Sequence, residues 1–164
     1  LNVDAFGRAW VADPFKVVSV TPTIDTAAYA AGDAVAGKQT IAAAAASGLP
    51  VQLESLTLVD KANQKPALDI VFFDADPSAA TITNNSPFVF STDISKFIGR
   101  VRVLAADWIT VNSIALARID PAVLKNVLLP SGSANIYAAV VLTSGTPQFV
   151  GTSDLIFKYG FAQK

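Results

Sequence analysis

The chain has 164 residues, 52% hydrophobic and only 15% charged, with a formal net charge of −1; that is the size of one domain with a substantial core. No apolar run approaches the roughly 18 residues that span a bilayer, and the basic residues are scattered singly, so a membrane helix and an electrostatic footprint for nucleic acid are both excluded. The absence of Cys and His removes disulfides, thiol chemistry, the commonest general acid–base group and the commonest transition-metal ligand.

In chain order, residues 1–15 read as an N-terminal arm and residues 16–164 as the domain. The arm mixes polar with apolar residues and carries Phe6, Trp10 and Pro14 without a sustained period. Two large aromatics in such a segment point to docking, on the arm's own domain or on a neighbour. It lacks the basic start, apolar stretch and cleavage site of a signal peptide. The sequence holds no Met, so Leu1 reads as a processed start or as numbering after Met removal.

Residues 16–24 are rich in β-branched side chains and interrupted by Pro22, which suits an edge strand or a bend. A turn follows at 29–33, then a small-residue loop running through Pro50. Residues 51–60 alternate, but Leu56 and Leu58 fall on the opposite phase to Val51 and Leu53. A bulge at Glu54-Ser55 produces such a switch. Residues 63–65 are expected to form a hairpin turn into a central strand at 67–73, almost continuously apolar at its end. A connection containing Asn84 and Asn85 comes next, and then a short helix at 92–97 capped by Ser91 or Thr92. Further strands are expected at 99–105, 113–119, 125–129, 135–142 and 154–161, with a turn or short strand around Trp108. In the last of these, Leu155, Phe157 and Tyr159 share one face while Ile156 and Lys158 share the other.

Asp supplies twelve of the thirteen acidic residues and Glu54 is the single Glu. Asp favours turns and caps where Glu favours helices. About eight short strands split by Gly, Pro and Asn turns predict an all-β fold, a β-sandwich or jelly-roll-like single domain with at most one or two short helices.

Chemistry-bearing patterns are sparse. Asp74 and Asp76, near Asp69, have oxygen ligands to offer a hard cation, but their spacing matches no EF-hand loop and reads as turn chemistry. No Gly-x-Ser-x-Gly elbow is present. Gly37-Lys-Gln-Thr40 resembles the end of a phosphate loop without its earlier glycine or its strand-to-helix setting. Arg100 and Arg102 flank Val101 and read as the outer face of a strand. Trp10 and Trp108 are candidates for sugar stacking, against the commoner role of filling a core or interface. A hydrolase using two Asp residues stays open as a third class, with no particular pair distinguished. The residues therefore imply no catalytic group, no metal and no cofactor.

Val18-Ser-Val-Thr-Pro-Thr-Ile-Asp-Thr-Ala-Ala-Tyr-Ala-Ala-Gly-Asp33 resembles a group of small tailed-bacteriophage virion proteins. The likeness continues at Leu56-Thr-Leu-Val-Asp60 and Leu68-Asp-Ile-Val-Phe-Phe-Asp-Ala-Asp-Pro77, and in the closing pattern Ile136-Tyr, Thr146-Pro and Ser153-Asp-Leu155. It covers roughly residues 16–162, and its motifs are turn and strand signatures. It implies a capsid cement or decoration protein on the virion surface, bound to the major capsid protein and to other copies of itself as a dimer or trimer. Phe6, Trp10 and Pro14 are the candidate partner-binding residues, since aromatics are enriched among interface anchors. The alternative is a carbohydrate-binding or tail- or fibre-associated β-sandwich module.

Overall fold

Alternating and β-branched segments fold into ten strands in a computed structural model that describes residues 15–42, 44, 50–80, 82–121, 124, 127–128 and 133–163. They are β1 (Phe15–Val20), β2 (Gln39–Ile41), β3 (Pro50–Asp60), β4 (Ala67–Phe73), β5 (Phe97–Val103), β6 (Trp108–Val111), β7 (Ile114–Ile119), β8 (Val127–Leu128), β9 (Ile136–Ser144) and β10 (Leu155–Gln163). They form two antiparallel sheets, one in the order β1-β10-β3-β7-β6 with β8 also paired to β3, the other in the order β2-β9-β4-β5. The protein is all-β; among the described residues its helical pieces are two three-residue 3-10 turns. Among the described residues no helix is long and apolar enough to cross a membrane.

Each sheet turns one face into a common core. The six-stranded sheet contributes Leu53, Leu56, Leu58, Phe157, Tyr159 and Phe161; the four-stranded sheet contributes Leu68, Ile70, Phe72, Val140 and Leu142. Phe72 meets Tyr159 edge-on across the two sheets, with ring centroids 6.0 Å apart, and Tyr159 stacks between Phe157 and Phe161. The Tyr159 hydroxyl donates to Gln39 Oε1 at 2.9 Å. Complete burial pushes its pKa far up, so it remains a neutral donor.

The phase switch in β3 is a bulge. Gly160 pairs with Ser55 while Phe161 pairs with Leu53, and Glu54 is the extra residue. Leu53 and Leu56 thereby both face the core despite their odd spacing. The residue opposite the bulge is Gly160, where a Cβ would lie 2.8 Å from the Phe15 ring and would also collide with Ser55 Oγ, so those side chains must shift to admit one. Gly160→Val is expected to cost about 1–3 kcal/mol of stability through overpacking, measured by urea denaturation. A loss below about 0.5 kcal/mol, the usual range for an unconstrained surface site, would show that the ring and hydroxyl move aside freely.

Among the described residues β1 pairs only with β10 and is a sheet edge, one of the two readings Pro22 allowed; it opens at Phe15, one residue inside the expected arm. β4 lies between β9 and β5 and is central in its sheet. Two expectations are corrected. Residues 63–65 close no hairpin, because β3 and β4 belong to different sheets. The buried Asp60 carboxylate accepts the backbone N–H groups of Ala62 and Lys65, shaping a crossing between sheets. The helix expected at 92–97 is a single 3-10 turn, Ile94–Lys96, with no side-chain cap. Six residues are too few to repay helix nucleation, and the Asp93 carboxylate is engaged by Ala79 N–H and by Lys96.

Candidate interaction surface

The two outer sheet faces differ. On the four-stranded sheet, Val71, Phe73 and Ala139 are buried under Ile82, Phe88 and Phe90, which come from the long connection between β4 and β5. Phe90 lies 5.2 Å from Phe73, 6.0 Å from Phe88 and 6.2 Å from Phe97 by ring centroid. The cover is incomplete: Phe97 is 45% exposed and Ile94, in the turn before β5, is 63% exposed. A partly open aromatic cluster of this kind is anchor chemistry for a protein contact.

On the six-stranded sheet, strand register aligns Ile109, Leu116, Val59 and Ile156 as one row across β6, β7, β3 and β10. Val111 and Ile114 pair beside it. Alternation requires this row to face outward, since its neighbours Leu58, Ala115, Ala117 and Phe157 fill the core. Ile109 is 63% exposed, and a hollow of about 400 Å3 opens between Ile109, Leu116, Thr57 and Arg118. Covering one such Ile or Leu side chain fully adds about 1.5–3 kcal/mol to an association. The next register row, Arg118, Thr57, Lys158 and Ser19, carries two cations, of which Arg118 pairs with Asp120 at 3.4 Å, and Asp107 lines the same hollow.

Polar side chains near these faces are engaged in holding the fold. Asp69 accepts from Arg102 Nε and Nη2, both at 2.9 Å, and from Arg100 Nη1 at 3.3 Å. The two arginines occupy the outer strand face that the sequence suggested. Their hydrogen bonds, Arg102 first, hold the Asp69 carboxyl below its ordinary range. A lowered folded-state pKa gives stability that is full above the unfolded pKa of about 3.9 and is lost as pH falls through the folded value. Asp69→Asn is therefore expected to lower Tm at pH 7 and to converge on the parent chain only as pH falls below the folded-state value. Parallel Tm–pH curves would contradict this. Asp60 acts in the opposite sense: burial holds its carboxyl above the ordinary range, so its contribution weakens as pH rises through the folded value.

The three aspartates do not converge. Asp69 is bound by arginines and Asp76 pairs with Lys38 at 2.5 Å, and among the described residues no group of three His, Cys, Asp or Glu side chains is arranged to hold a metal. Hollows of about 230 and 690 Å3 lie beside the β3–β4 and β9–β10 connections. Their linings, which include Gln64, Lys65, Thr146 and Gln148, supply one lysine and no carboxylate. Trp108 lies in β6, 5% exposed, and its indole N–H donates to Pro66 O at 2.9 Å. It is core, and offers no ring face to a sugar. Phe6, Trp10 and Pro14 lie outside the described residues. Sequence reasoning missed both exposed patches. The available signals were the Phe88, Phe90 and Phe97 series and the outward alternation of Ile109 with Val111.

Compared with protein-family patterns, with curated proteins and with solved structures, the chain matches none.

Proposed function

We propose that the chain is a structural virion protein, a cement or decoration subunit that stabilises a phage head by binding between major capsid proteins. In this reading it acts on the capsid surface as a dimer or trimer and supplies contact rather than chemistry. Its two sheets close as a β-sandwich of jelly-roll type, and the arm, through Phe6, Trp10 and Pro14, reaches a neighbouring subunit.

The observation that carries the reading is the pair of exposed apolar patches on opposite outer faces of one β domain. A subunit that must hold both its own copies and a shell needs two such faces, and large exposed apolar patches on a protein surface mark contact sites. The resemblance of residues 16–162 to tailed-phage virion proteins supplies the identity of the shell. Binding only the assembled lattice stabilises that lattice by mass action. The test is to add the purified chain to heads that lack it and follow co-sedimentation. Saturable binding at a fixed ratio to the major capsid protein supports the reading, and no binding by a folded chain overturns it.

A further inference from the structure

A sheet edge fixes where its partner lies, because its free backbone groups are met in full by another strand. Among the described residues, the other edges of the two sheets are short or charged. β1 carries Lys16, β5 carries Arg100 and Arg102, and β2 and β8 have three and two residues. β6, at the end of the six-stranded sheet, has none of these protections: Trp108-Ile-Thr-Val111 contains no charge, no Pro and no bulge. Ile109, Thr110 and Val111 are all exposed, the two aliphatic side chains by 63% and 47%.

The hairpin that ends β6 decides which groups are free. Asn112 and Ser113 both have positive φ, 48° and 68°, the type I′ geometry that joins Val111 and Ile114 as a hydrogen-bonded pair. Antiparallel alternation then turns the N–H and C=O of Ile109 toward β7, and those of Trp108 and Thr110 out of the edge. The Trp108 and Thr110 side chains bond Pro66 O and Asn63 Oδ1, which fixes β6 against the crossing between the sheets.

Two copies of this edge satisfy one another. In antiparallel register with Ile109 facing Ile109 of the second copy, Trp108 of each meets Thr110 of the other, and the outward N–H and C=O groups of both chains all pair. Ile109 then sits on a two-fold axis as a non-hydrogen-bonded pair, with Cα atoms about 4.5 Å apart. The apolar rows of the two copies join end to end. The charges nearest the seam are not opposed. Asp107 falls opposite Val111 of the second copy, and Arg118 lies one strand further in, paired with Asp120 at 3.4 Å. β6 offers a charged strand no counter-charge, whereas its own copy meets it without repulsion.

We propose that two copies of the chain associate through their β6 edges, about a two-fold axis at Ile109, into one sheet continuous across the dimer. The contact is isologous and closes at two copies. It narrows the oligomer of the proposed function to a dimer; the contact itself needs no shell, so it can fail while shell binding holds.

Sedimentation equilibrium of the full chain, without shells, tests it alongside Thr110→Pro. Proline removes the outward N–H of Thr110 and spares the β6–β7 ladder, in which that group takes no part. A parent dimer is expected, with association weakened at least about 10-fold in the variant through hydrogen bonds lost in both copies. Circular dichroism checks that the β fold is kept. The register is read separately with Ile109→Cys, a single thiol in a chain that has no Cys. Val150→Cys, at a position 85% exposed between β9 and β10, is the control. The Cα spacing at the axis suits a disulfide, so mild oxidation is expected to cross-link Ile109→Cys into a covalent dimer well ahead of the control. A monomeric parent overturns the proposal. So does a dimer that Thr110→Pro leaves as tight as before, or one in which Ile109→Cys cross-links no more than Val150→Cys.

Discussion

Phe72→Ala is expected to remove about 3–5 kcal/mol of stability, the cost of deleting a buried phenyl ring and leaving its cavity. Phe72 is fully buried and is the ring through which the four-stranded sheet meets Tyr159 of the six-stranded sheet. Its strand neighbours cannot collapse into the gap, because β9 and β5 hold β4 on both sides. A domain of this size has a total stability of about 5–15 kcal/mol, so one ring carries a large share of it. The expected fall in Tm is about 6–20 °C, from about 2–4 °C per kcal/mol. Thermal and urea unfolding measure it. A cost below about 1.5 kcal/mol, the range of volume-conserving swaps, would mean that the sheets repack without this contact.

Phe97→Asp is expected to reduce binding to phage heads by about 100-fold, or about 2.7 kcal/mol, with little change in Tm. Phe97 is nearly half exposed and forms the open end of the cluster with Phe90, Phe88 and Phe73. A carboxylate there leaves the core intact but brings an unpaired charge into any dry contact. Co-sedimentation against chain concentration gives the ratio directly. Unchanged affinity would remove the aromatic patch from the shell contact, and a matching fall in Tm would show that the substitution acts through folding.

Strand positions and inward faces were legible because β structure writes burial into alternation. The bulge at Glu54 was legible for the same reason: Leu53 and Leu56 both need the core, and three-residue spacing cannot satisfy that on a regular strand. Assignment of strands to sheets was not. A polar turn at 61–66 looks the same whether it closes a hairpin or crosses between sheets, and the deciding interactions, such as Trp108 Nε1–H to Pro66 O, lie far apart in sequence. The helix expected at 92–97 shrinks to the 3-10 turn Ile94–Lys96 because six residues cannot repay helix nucleation, and Asp93 at its start binds Ala79 N–H and Lys96 rather than capping it. The contact surface was only partly legible. The aromatics of residues 1–15 pointed to a docking arm, but the exposed rows exist only once register aligns Ile109 with Leu116, Val59 and Ile156 across four strands.

The most direct test of the cement reading is the temperature at which shells lacking this chain break open, measured with and without saturating full-length protein and with Phe97→Asp as the comparison. The account expects the parent chain to bind at a fixed ratio and raise the disruption temperature, and the variant at the same concentration to leave it near that of bare shells. A disruption temperature that stays unchanged when the parent chain is present would contradict it.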